Sequence, residues 1–223
     1  MGIILFDLDG TLTDAREGIE RCLRYALRSV GLTVPCDSDL TRFIGPPLRE
    51  SFSELLGNPS EETIDEALRR YRERFEAKGM YENRVYPGIV EMLKQIVAMS
   101  WRAYVVTSKP TVYAQRIVSH FQLINFFAAV CGSQLDGRLA RKGELIRHVM
   151  DEESIPPGQA IAVGDRSEDI RGAHANGMDS IGVTYGYGSR QELENAGATW
   201  ICDSPASVLE VLRTGFGNSC GIR

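Results

Sequence analysis

The spacing of apolar positions changes along this 223-residue chain, and each spacing predicts a different kind of element. Residues 2–6, from Gly2 through Ile3, Ile4 and Leu5 to Phe6, form an unbroken apolar run, as a short strand buried on both faces of a parallel sheet would. From Asp14 to about Lys78 the apolar residues recur at helical period: Ile19, Leu23, Ala26, Leu27 and Val30, then Leu48, Phe52 and Leu55, then Ile64, Leu68, Tyr71 and Phe75. No strand pattern interrupts them. Gly31, Pro35, Gly45-Pro46-Pro47, Gly57-Asn58-Pro59 and Gly79 separate these helices. Pro47 is expected at a first helical position, with Ser60 and Asp14 as N-caps.

After Pro87-Gly88 the chain alternates. Strands are predicted at 102–107, 126–131, 160–164, 180–184 and 199–202, with helices at 89–99, 111–121, 142–152, 167–176, 190–196 and 205–213. Such alternation implies a parallel sheet covered by helices on both faces. The strand at 2–6 must join that sheet, because it has no other partner. The expected architecture is therefore a three-layer, Rossmann-like α/β core formed by residues 1–14 and 85–223, with an all-helical insertion at 15–84. Gly215 to Arg223 reads as a flexible tail.

Composition narrows the partners. With 43% hydrophobic residues the chain is of ordinary globular character, and 30 acidic against 25 basic side chains leave a net charge of −5. That balance offers no general attraction to nucleic acid polymers or anionic membranes, so an anionic ligand must be held by a local arrangement. Asp7 breaks the opening apolar run too early for a signal or membrane segment, and a cytoplasmic location is expected. The cysteines Cys22, Cys36, Cys131, Cys202 and Cys220 lie at scattered spacings without a C-x-x-C pair, and are expected to be reduced and structural. Cys220, in the Gly/Ser-rich tail, has no assigned role. His120, His148 and His174 fall in predicted helices, and Trp101 and Trp200 precede strands as packing groups.

In open parallel sheets ligands bind beyond the carboxyl ends of the strands, and the chemistry-bearing residues collect there. The first strand runs into Asp7-Leu8-Asp9-Gly10-Thr11, the strand at 102–107 into Thr107-Ser108-Lys109, and the strand at 160–164 into Asp165, with Asp169 four residues on. Asp7 and Asp9 lean to one side in extended chain, and Asp165 and Asp169 are expected to share one face of a helix's first turn. Carboxylates so gathered repel by about 4 kcal/mol per pair at ~4 Å and an effective dielectric of ~20. A cation is required. The donors are hard oxygens with no His or Cys among them, which selects Mg²⁺ over Zn²⁺. One carboxylate beside Mg²⁺ can attack phosphorus, and a second, two residues on, can protonate the leaving oxygen and later deprotonate water. Ser108 and a lysine would neutralise the phosphoryl oxygens. The basic cluster Arg138, Arg141 and Lys142 does not by spacing alone single out that lysine.

Asp7-Leu8-Asp9-Gly10-Thr11-Leu12-Thr13-Asp14 resembles the D-x-D-G-T-L-x-D motif of the haloacid dehalogenase-like hydrolases. The other motifs follow in order: Thr107-Ser108, Lys142, and Gly164-Asp165-Arg166-Ser167-Glu168-Asp169. The resemblance extends to about residue 213 and implies that the helical insertion is a cap domain. It implies Asp7 as nucleophile, forming an aspartyl phosphate, and Asp9 as general acid and base. Metal would be held by Asp7, the Asp9 main-chain carbonyl and Asp165, with Asp169 holding metal-bound water or the lysine. Ser108 and the main-chain N–H of Lys109 would bind the phosphoryl group, and Lys142 would balance its charge. Arg42, Gly45, Pro46, Leu48 and Arg49 lie where relatives present a substrate-selecting loop. Gly143-Glu144-Leu145-Ile146 after Lys142, in place of Pro-x-Pro, resembles the 5′-nucleotidase-like branch, as do Gly132-Ser133-Gln134-Leu135-Asp136-Gly137 and Tyr185-Gly186-Tyr187-Gly188-Ser189.

The expected activity is Mg²⁺-dependent hydrolysis of a small phosphorylated metabolite, such as a nucleoside 5′-monophosphate or phosphoglycolate, by a monomer or homodimer. A β-phosphoglucomutase-type mutase is the main rival. A 2-haloacid dehalogenase is opposed by Asp9 and Asp165, and a phosphorylated receiver domain by the long insertion. A non-catalytic binding protein would leave a full set of catalytic groups unexplained.

Overall fold

The computed structural model describes residues 2–34, 39–156 and 158–214, so Cys36, Cys220 and the expected tail at 215–223 lie outside the described residues. In chain order, β1 (Ile3–Phe6) leads through β2 (Thr13–Asp14) to α1 (Arg16–Ser29), α2 (Leu48–Leu55) and α3 (Glu61–Ala77), and the chain returns through β3 (Arg84–Val85). The alternating half follows as α4 (Ile89–Ala98), β4 (Arg102–Pro110), α5 (Thr111–His120), β5 (Ala129–Ser133) and α6 (Lys142–Glu152). It continues through β6 (Ala160–Gly164), α7 (Ser167–Ala175), β7 (Asp179–Val183), α8 (Arg190–Asn195), β8 (Trp200–Cys202) and α9 (Pro205–Thr214).

The chain divides into two compact units, one of residues 1–12 and 85–223 and one of residues 13–84. In the first unit β1, β4, β5, β6, β7 and β8 form a parallel six-stranded sheet in the order β5-β4-β1-β6-β7-β8. β1 is central, with Phe6 opposite Val105 of β4 on one side and Val163 of β6 on the other. All four of its residues are buried, which explains why its sequence is apolar without alternation. One face of the sheet presents Ile3, Leu5, Tyr104 and Val106 to Leu145, Ile146 and Val149 of α6, so the hydrophobic stripe of that helix seals the layer. Strand order reverses at β1, placing the ends of β1, β4 and β6 side by side at a topological switch point.

The second unit is a helical assembly in which α1 and α2 pack on α3. Phe52 meets Tyr71 edge to face at 6.1 Å, and Tyr71 stacks on Phe75 at 5.6 Å. Ser60 caps α3, its hydroxyl accepting the Thr63 N–H. Pro47 stands one position earlier than expected, as the N-cap of α2 with ψ 129°. Asp14 does not cap α1. Ala15 holds that position, and the Asp14 carboxylate instead accepts the Arg16 N–H at 3.3 Å and pairs with Arg84 at 2.7 Å.

Two strand boundaries also differ from the periodic reading. β5 starts at Ala129 because Ile124–Phe126 form a turn of 3₁₀ helix, whose apolar residues resemble a strand in sequence. β4 extends to Pro110, but its register against β5 shifts between Thr107 and Pro110, so Ser108 and Lys109 bulge from the ladder. Cys22, Cys131 and Cys202 are free thiols, with Cys22 and Cys202 buried. Among the described residues no helix is long and apolar enough to cross a membrane.

Candidate active site at the carboxyl ends of the strands

β1 ends at Phe6, and the next residue, Asp7, lies beside the end of β6, its N–H donating to the Val163 carbonyl at 2.9 Å. α6 begins at Lys142, whose Nζ reaches back to Asp7 Oδ1 at 2.6 Å, Asp169 Oδ1 at 2.8 Å and the Val106 carbonyl at 2.9 Å. This contact set answers the ambiguity among the three basic residues, since Arg138 pairs instead with exposed Asp136. Lys142 uses its three ammonium protons on three acceptors, which is why a buried lysine is tolerated here.

Asp165 follows β6 and precedes α7, whose N-cap is Arg166. It is therefore outside the helix rather than one turn before Asp169 on a helical face. Asp169 is in the first turn, where its Oδ2 accepts the Arg166 N–H at 3.1 Å while its Oδ1 meets Lys142, so one carboxylate both caps α7 and serves the site. Carboxylate oxygens of Asp7, Asp165 and Asp169 lie within 4.8 Å of one another. Asp165 is fully buried; its Oδ1 accepts the Thr11 hydroxyl at 3.1 Å and its Oδ2 the Tyr187 N–H at 2.8 Å.

Asp9 contributes no carboxylate to that cluster. Its Oδ2 pairs with Lys109 Nζ at 2.6 Å, and its buried Oδ1 has no hydrogen-bond partner among the described residues. The β4 bulge holds Ser108 through its carbonyl, which accepts the Ser133 hydroxyl at 2.6 Å, and the Lys109 N–H donates to Thr107 Oγ1 at 3.3 Å.

Residues 4–183 match the haloacid dehalogenase-like hydrolase family. The chain belongs to that family. It is 46% identical over 211 residues to a 5′-nucleotidase of Pseudomonas aeruginosa, a match covering 95% of each chain. A crystal structure of a predicted phosphatase from Clostridium acetobutylicum aligns with a TM-score of 0.91 at 45% identity, over 95% of this chain and 98% of that one. The tyrosine-protein kinase PtkA of Mycobacterium tuberculosis is 33% identical over 216 residues, 96% of this chain and 72% of that protein. Hydrolase chemistry and the 5′-nucleotidase-like branch, both expected from the motifs, are thus in place.

The electrostatics of this hydrolase's site follow from burial. Desolvation, then the nearby charges of Asp169 and Asp7, push the Asp165 carboxyl well above the ordinary range despite its two hydrogen-bond donors. Asp169 rises to about 6, because burial and the Asp7 charge together outweigh Lys142. Burial alone would lower the Lys142 ammonium, but Asp169 and Asp7 reverse that and raise it. Burial also raises Asp9, against the pull of Lys109. Three carboxylates against one ammonium leave an excess of buried negative charge, and the donors are all oxygens. That combination fits a hard divalent cation such as Mg²⁺.

Arg42 and Arg49 belong to the helical unit and are engaged there. Arg42 pairs with Glu54 at 2.9 Å, and Arg49 with Glu61 at 2.7 Å and with Asp65. Four supporting groups escaped the sequence reading: the Thr11 hydroxyl, the Val106 carbonyl, the Lys109 ammonium and the Tyr187 amide. Thr11 lies within the first motif and Lys109 is named for its main-chain N–H, so position in the motifs is a usable signal for their side chains. The other two act through main-chain atoms and leave no residue-type signature.

Proposed function

We propose that this hydrolase is a Mg²⁺-dependent phosphomonoesterase that carries the phosphoryl group transiently on Asp7 and acts on a nucleoside 5′-monophosphate. The observation that carries this reading is the convergence of Asp7, Asp165 and Asp169 within 4.8 Å, with Lys142 bridging Asp7 and Asp169. Lys142 holds Asp7 Oδ1, which fixes the carboxylate's orientation for attack by its other oxygen. As the Asp7–phosphorus bond forms and the ester oxygen departs, Asp9 donates its proton to that oxygen. The unpartnered Oδ1 and the raised proton affinity of Asp9 suit it to this step. Asp9, now ionised, then takes a proton from water, the water oxygen attacks phosphorus, and the Asp7–phosphorus bond breaks to release phosphate. Ser108 is a proposed donor to the phosphoryl oxygens, with the Lys109 main-chain N–H turning to them from its long 3.3 Å bond to Thr107 Oγ1.

Asp7, Asp165 and the Asp9 carbonyl are the proposed ligands of Mg²⁺, with Asp169 beside them. When bound, Mg²⁺ supplies the positive charge that offsets the clustered carboxylates and the phosphoryl oxygens. The 46% identity to a 5′-nucleotidase supports a nucleotide substrate. The helical unit is proposed as the substrate-selecting cap, through Arg42 and Arg49. Their present pairs are exposed, and such pairs exchange for a substrate anion at little cost. A second acceptor, a tyrosine hydroxyl in place of water, is favoured by the identity to PtkA.

The test is phosphate release from a panel of nucleoside monophosphates, phosphoglycolate and sugar phosphates, with Mg²⁺ and with chelator, in the wild type and in Asp7→Asn. Expected are release from a nucleoside 5′-monophosphate, its loss on chelation, and a fall of about 10³-fold or more in Asp7→Asn. Retained turnover in Asp7→Asn overturns the covalent route. Sugar-phosphate interconversion without release would indicate the mutase, and phosphotyrosine formation the kinase-like acceptor.

A further inference from the structure

The segment Tyr185-Gly186-Tyr187-Gly188, one of the stretches that resemble the 5′-nucleotidase-like branch, connects β7 to α8. In the structure it is wrapped tightly around Asp165. The Tyr187 N–H donates to Asp165 Oδ2 at 2.8 Å, and the Tyr185 hydroxyl donates to the Thr11 carbonyl at 3.2 Å. Thr11 in turn donates its hydroxyl to Asp165 Oδ1 at 3.1 Å, so both carboxylate oxygens are fixed from a single tied pair of loops. Tyr185 is itself braced edge to face against Tyr86 at 5.2 Å.

The glycines permit this approach. A Cβ at position 186 would lie 2.3 Å from the Gly10 carbonyl oxygen and 2.4 Å from the Asp165 Cβ, and one at 188 only 1.9 Å from the Asp165 carbonyl oxygen. Any side chain at either position would push the turn off Asp165 and withdraw the Tyr187 amide. A carboxylate has about four acceptor directions, and the two donors occupy one on each oxygen. Two donors therefore do not exhaust its capacity to accept a cation.

We infer that the Tyr185–Gly188 turn is a positioning device that presents the Asp165 carboxylate to the divalent cation, with Gly186 and the Tyr187 amide as its working parts. This rests on the proposed Mg²⁺ site. Partners that orient a ligand in this way typically carry about 10–100-fold of metal affinity. The turn makes no contact with the reacting phosphoryl group in this role; it acts through Asp165.

The experiment is calorimetric titration of Mg²⁺ into metal-stripped protein without substrate, with folding checked by circular dichroism. Gly186→Ala is expected to bind Mg²⁺ about 10–100-fold more weakly than the wild type. Tyr185→Phe and Thr11→Val are expected to weaken it by about tenfold, while Thr11→Ser, which restores the hydroxyl, returns it to the wild-type value. A folded Gly186→Ala protein with wild-type affinity overturns the inference. Should Gly186→Ala fail to fold, wild-type affinity in both Tyr185→Phe and Thr11→Val overturns it equally. Absence of Mg²⁺ binding by the wild type, or undiminished binding in Asp165→Asn, instead overturns the metal reading beneath it.

Discussion

Lys142 in the sheet unit and Arg70 in the helical unit perform the same electrostatic act in different surroundings. Lys142 bridges Asp7 and Asp169 at 2.6 and 2.8 Å, and Arg70 bridges Glu66 and Glu73 at 2.9 and 3.3 Å. The side chain of Lys142 is 6% exposed and that of Arg70 35%. The carboxylates respond in opposite directions. Glu66, hydrogen-bonded by Arg69 and Arg70 in water, falls to about 2, whereas Asp169 rises to about 6. Distance does not explain the difference, because the pair distances are similar. Burial removes water from Asp169 and brings Asp7 close, and one lysine does not offset both effects. The surface carboxylate answers only to the charges beside it, while the buried one answers also to the loss of water.

The largest effect that can break this comparison comes from deleting each cation in metal-free protein. Lys142→Met leaves Asp7 and Asp169 buried without a counter-charge and is expected to cost about 3–5 kcal/mol in urea unfolding. Arg70→Met should leave the unfolding midpoint where it was, since solvent and salt already screen that pair. Equal losses would show that burial is not what separates the two sites.

Next in size is the pH dependence. An acid whose folded pKa exceeds its unfolded one binds more protons when folded, so stability falls as pH rises between the two values. For Asp169, raised from 3.8 to about 6, the contribution to the metal-free protein's stability should fall as pH climbs from about 4 to about 6 and then level off. The raised Asp9 and Asp165 act in the same direction. Melting temperatures across that range in chelator, and again in saturating Mg²⁺, provide the check. A rise of stability with pH in chelator would contradict the sign, and an unchanged slope in Mg²⁺ would contradict relief by the cation.

The smallest expected effect lies in the helical unit. Arg42→Ala and Arg49→Ala should leave folding and kcat near wild type and raise KM by roughly 10-fold, the signature of lost uniform binding. An unchanged KM for the preferred substrate in both variants would remove these arginines from substrate selection.

Much of this was readable from residue order. The apolar run at 2–6 and the alternation after Pro87 specify a parallel sheet, because strands buried on both faces and crossover helices impose distinct periods. That Asp7 and Asp165 meet could be anticipated because strand ends gather polar residues whatever the loop lengths. The β4 bulge could not be read, since the register of Ser108 and Lys109 depends on contacts with β5 and Ser133. Nor could the Asp165–Asp169 relation, which depends on where α7 begins; spacing suggested a shared helical face that Arg166, as N-cap, denies them. Asp14 shows the same limit at α1, its carboxylate drawn to Arg84, seventy residues away.

By itself the sequence determined where most strands and helices run and which side chains are candidates for chemistry, because both depend on local period and residue type. Tertiary structure alone decided that Lys142, not Arg138 or Arg141, meets Asp7, that Lys109 pairs with Asp9, and that the Tyr187 amide holds Asp165. Those contacts join residues from 22 to 135 positions apart or rest on main-chain atoms common to nearly every residue. Local sequence carries no record of such distances. Packing of the central strand between its two neighbours brings those groups together.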